Sequence, residues 1–192
     1  EVFHVSKRGK GNVVRSMFRT IVADIYVLVD GDGTYGAEDI SKLIAPVVEG
    51  SVDMVVGDRL SSSVYDQQNT RRFHGFGNRL VRWLISKLYR TECKDILSGY
   101  RVFSKAFVDN FPVMSDGFEI ETELTLHTLD KKIAFKEISV GYKERPLGGE
   151  SKLNTFSDGI KILKTIVILF KNYKPFLFFG SLATLISLVG IL

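Results

Sequence analysis

Two carboxylates one residue apart, Asp30 and Asp32, close the stretch IYVLVDGDGTY at 25–35. Such a pair makes a hard-oxygen pocket suited to Mg²⁺ or Mn²⁺, and phosphate oxygens can complete the shell. Residues 25–29 are an apolar run without polar alternation, which predicts a short strand buried on both faces, as in a parallel sheet. Gly31 and Gly33 then break the strand and permit a tight turn. Sites in open α/β sheets lie beyond the carboxyl ends of strands, so this turn is where chemistry belongs. An EF-hand calcium loop is excluded: counted from Asp30, its sixth and twelfth positions hold Tyr35 and Ser41 instead of Gly and Glu. A plain solvated turn would use the same Asp and Gly residues.

A strand followed by Asp30, Asp32, Gly33 and Thr34 also resembles the first motif of haloacid-dehalogenase-type phosphohydrolases. There the first Asp would be a nucleophile, which keeps a phosphatase as the rival to a metal-binding turn. The elements around the turn must decide between them. Residues 13–22 carry apolar side chains at helical spacing, preceded by a basic turn with Gly9, Lys10 and Gly11. Lys10 and the amides of that helix start are candidates to meet a nucleotide phosphate. A second helix is expected over 37–49 and a second buried strand over 54–56, closed by Gly57, Asp58 and Arg59. Alternating strands and helices predict a doubly wound α/β domain.

Beyond the second strand, 61–69 is polar and aperiodic and reads as a loop over the site. Arg71 and Arg72 lead into an amphipathic helix, and guanidinium forks match phosphate geometry. Glu119, Glu121 and Glu123 fall in the first turns of a further helix, where acids favour the helix dipole. From 24 to 66 there are nine acidic residues against two basic ones, and from 71 to 105 nine basic against two acidic. An acidic, metal-binding half beside a basic half suits a phosphate-bearing substrate. No helix-turn-helix, zinc-finger or RNA-motif pattern accompanies the charge, which argues against nucleic acid. Cys93 stands alone, and His4, His74 and His127 lack ligand spacing, so no cysteine or histidine metal site is expected.

The segments DGDG at 30–33, VVGDR at 55–59, RRFHGFGNRL at 71–80, DILSGYRVF at 95–103, GFEIETEL at 117–124 and ERPLGGESKL at 144–153 follow in that order. Together they resemble family 2 glycosyltransferases of the GT-A fold, in the branch of dolichol-phosphate mannose synthase and bacterial polyprenyl-phosphate glycosyltransferases. The resemblance covers nearly the whole chain. It implies inverting transfer of a sugar from a nucleotide-sugar to a polyprenyl phosphate at the cytoplasmic membrane face. It further implies catalytic roles for Asp30, Asp32 and Arg59, metal binding by Asp30 and Asp32, and donor binding by Lys10 and Asp30. Arg59, Arg71, Arg145, Ser151 and Lys152 would bind the acceptor phosphate. Thr34 replaces a common Gln, Asp58 a common Ser, and Gly75 a common phosphate-binding Ser.

The last part of the chain agrees with that implication. Residues 156–173 place apolar Phe156, Ile160, Leu163, Ile166, Val167 and Phe170 among Lys161, Lys164, Lys171 and Lys174, a basic amphipathic pattern suited to an anionic membrane surface. Residues 175–192 contain no charged side chain, close to the ~20 residues that span hydrocarbon. Lysines ahead of that run place the preceding domain on the cytoplasmic side. The expected organisation is a GT-A catalytic domain over 1–154, incomplete at its N-terminus. An interfacial helix over 155–174 and a membrane helix over 175–192, with more chain to follow, complete it. A homo-oligomer is compatible with this layout.

Overall fold

The computed structural model describes residues 2–60, 72–91, 93–143 and 155–191. Four strands form one mixed sheet: β1 (Ile25–Leu28), β2 (Met54–Asp58), β3 (Arg101–Ser104) and β4 (Phe135–Ser139), in the order β1-β3-β2-β4. β2 is buried at every position, and its neighbours β3 and β4 run antiparallel and parallel to it respectively. Successive side chains along it alternate faces: Met54 and Val56 enter one core cluster, while Val55 enters another.

Helices cover both faces, as a doubly wound domain requires. Helix α1 (Lys10–Thr20) contributes Val14 to the first core, with Phe107 from α4 (Lys105–Asn110) and Leu124 from α5 (Ile120–Asp130). The opposite face packs Leu43 and Val47 of α2 (Ile40–Val48) on Val55, Tyr100, Val102 and Val140. The expected second helix is therefore a 3₁₀ turn, Ala37–Asp39, that runs on into α2.

Strand β1 departs from expectation. It pairs antiparallel with β3, in the register Ile25↔Ser104 to Leu28↔Arg101, and Val27 and Val29 stay substantially exposed. The sheet is mixed because β3 begins at the edge where β2 ends and so runs back through the sheet in the reverse sense. Helix α1 also begins earlier than its apolar spacing predicts, at Lys10.

A third core joins α3 (Arg72–Tyr89), α5 and α6 (Thr155–Tyr173), with Val81, Ile85, Ile96, Leu126, Ile162, Ile166 and Leu169 at its centre. This divides the apolar residues of α6 into two sets. Ile162, Ile166 and Leu169 are buried in the protein, whereas Ile160, Leu163, Val167 and Ile168 face outward. Helix α7 (Pro175–Ile191) follows after a 107° bend and is exposed along its length, Phe176 at 92%. No single helix among the described residues is long and apolar enough to cross a membrane. The bent pair Ser157–Tyr173 and Pro175–Gly190 meets that measure together.

Candidate active site at one edge of the sheet

The carboxyl ends of β1, β2 and β4 and the amino end of β3 share one edge of the sheet. Asp30 follows β1, Arg59 follows β2, Gly99 precedes β3, and Tyr142 follows β4. The first residues of α1 and α5 complete the ring around them. The sequence-predicted residues Lys10, Asp30, Asp32 and Arg59 thus come to one place. Arg71, Arg145, Ser151 and Lys152, together with the loop 61–69, lie outside the described residues.

Lys10 is the hub. Its ammonium donates to Asp30 Oδ1 and to Glu121 Oε1, each at 2.5 Å. The Lys10 and Glu121 side chains are only 13% and 8% exposed. Burial works against the Lys10 charge, but Glu121 and Asp30 together hold its pKa above the ordinary lysine value. Burial also raises the Glu121 carboxyl, with Lys10 pulling the other way. The ammonium is the fixed charge of this group.

Two glycines let Lys10 reach that position. A Cβ on Gly11 would overlap the backbone oxygen of Ser115, and one on Gly9, which has φ 120°, would overlap that of Asp116. The start of α1 therefore lies directly on the 115–117 loop. Gly11 N–H donates to Gly117 O at 3.1 Å and Asn12 N–H to Asp116 O at 3.2 Å. These two amides are paired within the protein rather than turned to the site, and of this segment it is the Lys10 side chain that meets Asp30.

Asp32 is oriented by its own turn. Its Oδ1 accepts from Thr34 N–H at 3.2 Å and from Thr34 Oγ1 at 2.7 Å, and Thr34 is itself buried. Thr34 O accepts from Lys143 N–H at 2.8 Å, and Tyr35 bridges to Tyr142, which ties the turn to the segment leading toward Arg145. The Tyr35 hydroxyl accepts from Gly99 N–H at 3.3 Å and lies 3.4 Å from Ser98 Oγ. Burial pushes that hydroxyl up to about 12, with Arg59 opposing, so it is a hydrogen-bonding group and not an anion.

Arg59 is oriented by Asp95. Its Nε donates to Asp95 Oδ2 at 2.9 Å and its Nη2 to Leu97 O at 2.9 Å, and the guanidinium lies 5.9 Å from the centre of the Tyr142 ring. The loop carrying Asp95 is fixed from below by wholly buried Arg101, which donates to Ile96 O, Ser98 O and Thr125 Oγ1. Asp58, by contrast, turns back to cap Leu60 N–H at 2.9 Å.

The three acids at the start of α5 have different tasks. Glu119 and Glu123 accept from the amides of the 114–117 loop, Glu123 from Met114 and Ser115 at 2.7 Å each. Glu121 alone turns to the site. Spacing could not separate the three, although Glu121 is the acid that faces Lys10 across the fold.

The residues fit a divalent cation whose shell is completed by its ligand. Asp30 and Asp32 supply hard oxygens from one turn, and Gly99, where a Cβ would collide with Asp30 Oδ2, lets the Asp30 carboxylate lie against the start of β3. Among the described residues no cluster of three acidic, histidine or cysteine side chains is disposed to hold a metal unaided.

No protein-family profile matches the chain. It is 33% identical over 187 residues to the glycosyltransferase AglJ of Haloferax volcanii, covering 97% of this chain and 61% of that protein. It is 25% identical over 166 residues to a dolichyl-phosphate hexose transferase of the same organism, covering 86% of this chain and 70% of that protein. The chain thus spans less than two thirds of AglJ. Among solved structures, glucosyl-3-phosphoglycerate synthase of Mycobacterium tuberculosis superposes with a TM-score of 0.65 at 20% identity, over 84% of this chain and 55% of that one. That enzyme has also been solved in complex with Mn²⁺, uridine diphosphate and glucosyl-3-phosphoglycerate. The likeness to it is one of fold, the mixed sheet between helices of GT-A glycosyltransferases.

Proposed function

We propose that this chain, a homologue of glycosyltransferases with the GT-A fold, performs the inverting transfer of a sugar from a nucleotide-sugar to a polyprenyl phosphate. The observation that carries the reading is the meeting of Lys10, Asp30, the Asp32 turn and Arg59 at one edge of the sheet. A cation source and two carboxylates stand on one side, and a guanidinium set by Asp95 stands on the other. That is a plan for two phosphate-bearing substrates. The relative named for dolichyl-phosphate transfer supports the acceptor class.

A divalent ion bound at Asp30 and Asp32 would neutralise the donor pyrophosphate as it leaves. The chain's own residues do the rest. Lys10 holds the diphosphate side, and Arg59, with Arg71, Arg145, Ser151 and Lys152, holds the acceptor phosphate. An acceptor phosphate oxygen bonds to the anomeric carbon from the face opposite the nucleotide, and the bond from that carbon to the diphosphate oxygen breaks. A phosphate monoester has a second pKa near ~6 and is already ionised, so no protein base is required. In-line positioning between basic groups suffices.

We further propose the domain plan 1–154, 155–174 and 175–192 as catalytic unit, interfacial helix and membrane segment, with the catalytic unit on the cytoplasmic side. The haloacid-dehalogenase reading, with Asp30 as nucleophile, is not favoured, because the named relatives transfer sugars. The test is incubation of the protein with labelled nucleotide-sugars and polyprenyl phosphate. Label should pass into a lipid-extractable product, chelator should stop it, and Asp32→Asn should lower the rate ~100-fold or more. Near-normal turnover by Asp32→Asn would remove the metal role. A phosphoryl adduct trapped on Asp30 would favour the hydrolase.

A further inference from the structure

Lys10 makes two contacts that a metal site cannot keep unchanged. Its ammonium sits on Asp30 Oδ1, the carboxylate expected to take the divalent ion, and also on Glu121 Oε1, which lies outside the Asp30–Asp32 turn. An ammonium and a dication on one carboxylate repel each other. Glu121 gives the ammonium a second anchor. It is buried, and its carboxylate reaches Lys10 from the opposite element, α5. The Asp30 carboxylate and the ammonium both pack against Gly99, where a Cβ would collide with Asp30 Oδ2, so the pair is held close at the entry to β3.

We infer that Lys10 occupies the Asp30 carboxylate as a stand-in cation until the divalent ion binds, and that Glu121 is the positioning residue that retains the ammonium when Asp30 is handed over. This rests on the reading of Asp30 as a metal ligand. It makes metal and donor binding cooperative, because a diphosphate offers the displaced ammonium a further partner.

The experiment is a titration of the whole chain with Mn²⁺ alone, followed by the loss of the free-ion electron paramagnetic resonance signal. It compares wild type, Lys10→Met, Glu121→Gln and the double variant. Removing the competing ammonium should tighten Mn²⁺ binding about tenfold, and Glu121→Gln, which leaves Lys10 with Asp30 alone, should weaken it about threefold. In the Lys10→Met background Glu121→Gln should change binding less than about twofold, since the effect of Glu121 passes through the lysine. Lys10→Arg keeps the charge and should remain near wild type, and Lys10→Gln repeats the test if Lys10→Met does not fold. If wild type binds Mn²⁺ and neither Lys10→Met nor Lys10→Gln binds it more tightly, the stand-in role is wrong. An equal loss from Glu121→Gln in both backgrounds would make Glu121 a ligand or a plain source of field and would overturn its positioning role. Should neither wild type nor Lys10→Met bind Mn²⁺, the metal reading of Asp30 itself fails.

Discussion

His127 lies behind the site in α5, on the face that meets α6. It is 5% exposed, its Nδ1 is 3.3 Å from Tyr173 Oη, and Phe111 packs edge-on against its ring. Burial lowers its pKa below the ordinary value near 6.5, Lys131 adds to that, and Asp130 opposes. The unfolded chain therefore takes up a proton near pH 6.5 that the folded chain still refuses. Stability from neutral His127 is present above that pH and is lost as pH falls from about 6.5 through the folded value. Melting temperature should drop between pH 7 and pH 5.5, and His127→Gln should flatten that drop. Identical slopes for the two proteins would dismiss the assignment. The sequence shows no ligand spacing for this histidine, and its burial comes from Phe107 on α4, Phe111 just beyond that helix and Tyr173 on α6, which no local pattern reveals. Glu121 is the same lesson at the site itself, one of three acids alike in sequence and separated only by a lysine 111 positions away.

At the scale of elements, local signals served where the reason for an element is local. The glycines and carboxylates after β1, the buried run of β2 and the helix ending near Gly50 all read directly from 25 to 58. Pairing did not, because the partner of β1 is β3, more than seventy residues on, and apolar periodicity carries no record of strand direction. The start of α1 was hidden for a related reason. It is set by the 115–117 loop pressing on Gly9 and Gly11, an approach that the glycine-lysine-glycine string permits but does not announce. This gives a prediction for α1. Gly11→Ala forces a methyl group toward Ser115 O, so α1 must shift from the loop and lose its two backbone hydrogen bonds. The expected cost is about 2 kcal/mol of stability or more, together with a raised donor KM as Lys10 is carried away from Asp30. An alanine variant that melts and turns over like wild type would show that the contact does not hold the helix in place.

At the scale of the molecule, the question is what the outer face of α6 and the whole of α7 are for. The same helix that seals the third core with Ile162, Ile166 and Leu169 turns Ile160, Leu163 and Val167 outward, and α7 presents Phe176, Leu182, Leu185 and Leu188 to the surroundings. The sequence pattern assigned Ile166 and Val167 alike to a membrane surface; the fold gives Ile166 to the protein and leaves Val167 outside. Apolar area of this extent, beside Lys164 and Lys171, is stabilised by an anionic bilayer and penalised in water. That division makes the membrane reading testable by position. Val167→Asp with Leu185→Asp touches only exposed side chains, so thermal stability should move by no more than about 0.5 kcal/mol. Flotation with anionic vesicles should fall about tenfold or more, because two acids enter the apolar face and repel the lipid headgroups. Ile166→Asp should instead unfold the junction of α3, α5 and α6, since it buries a charge without a partner. Undiminished flotation by the folded double variant would mean that α6 and α7 meet something other than lipid.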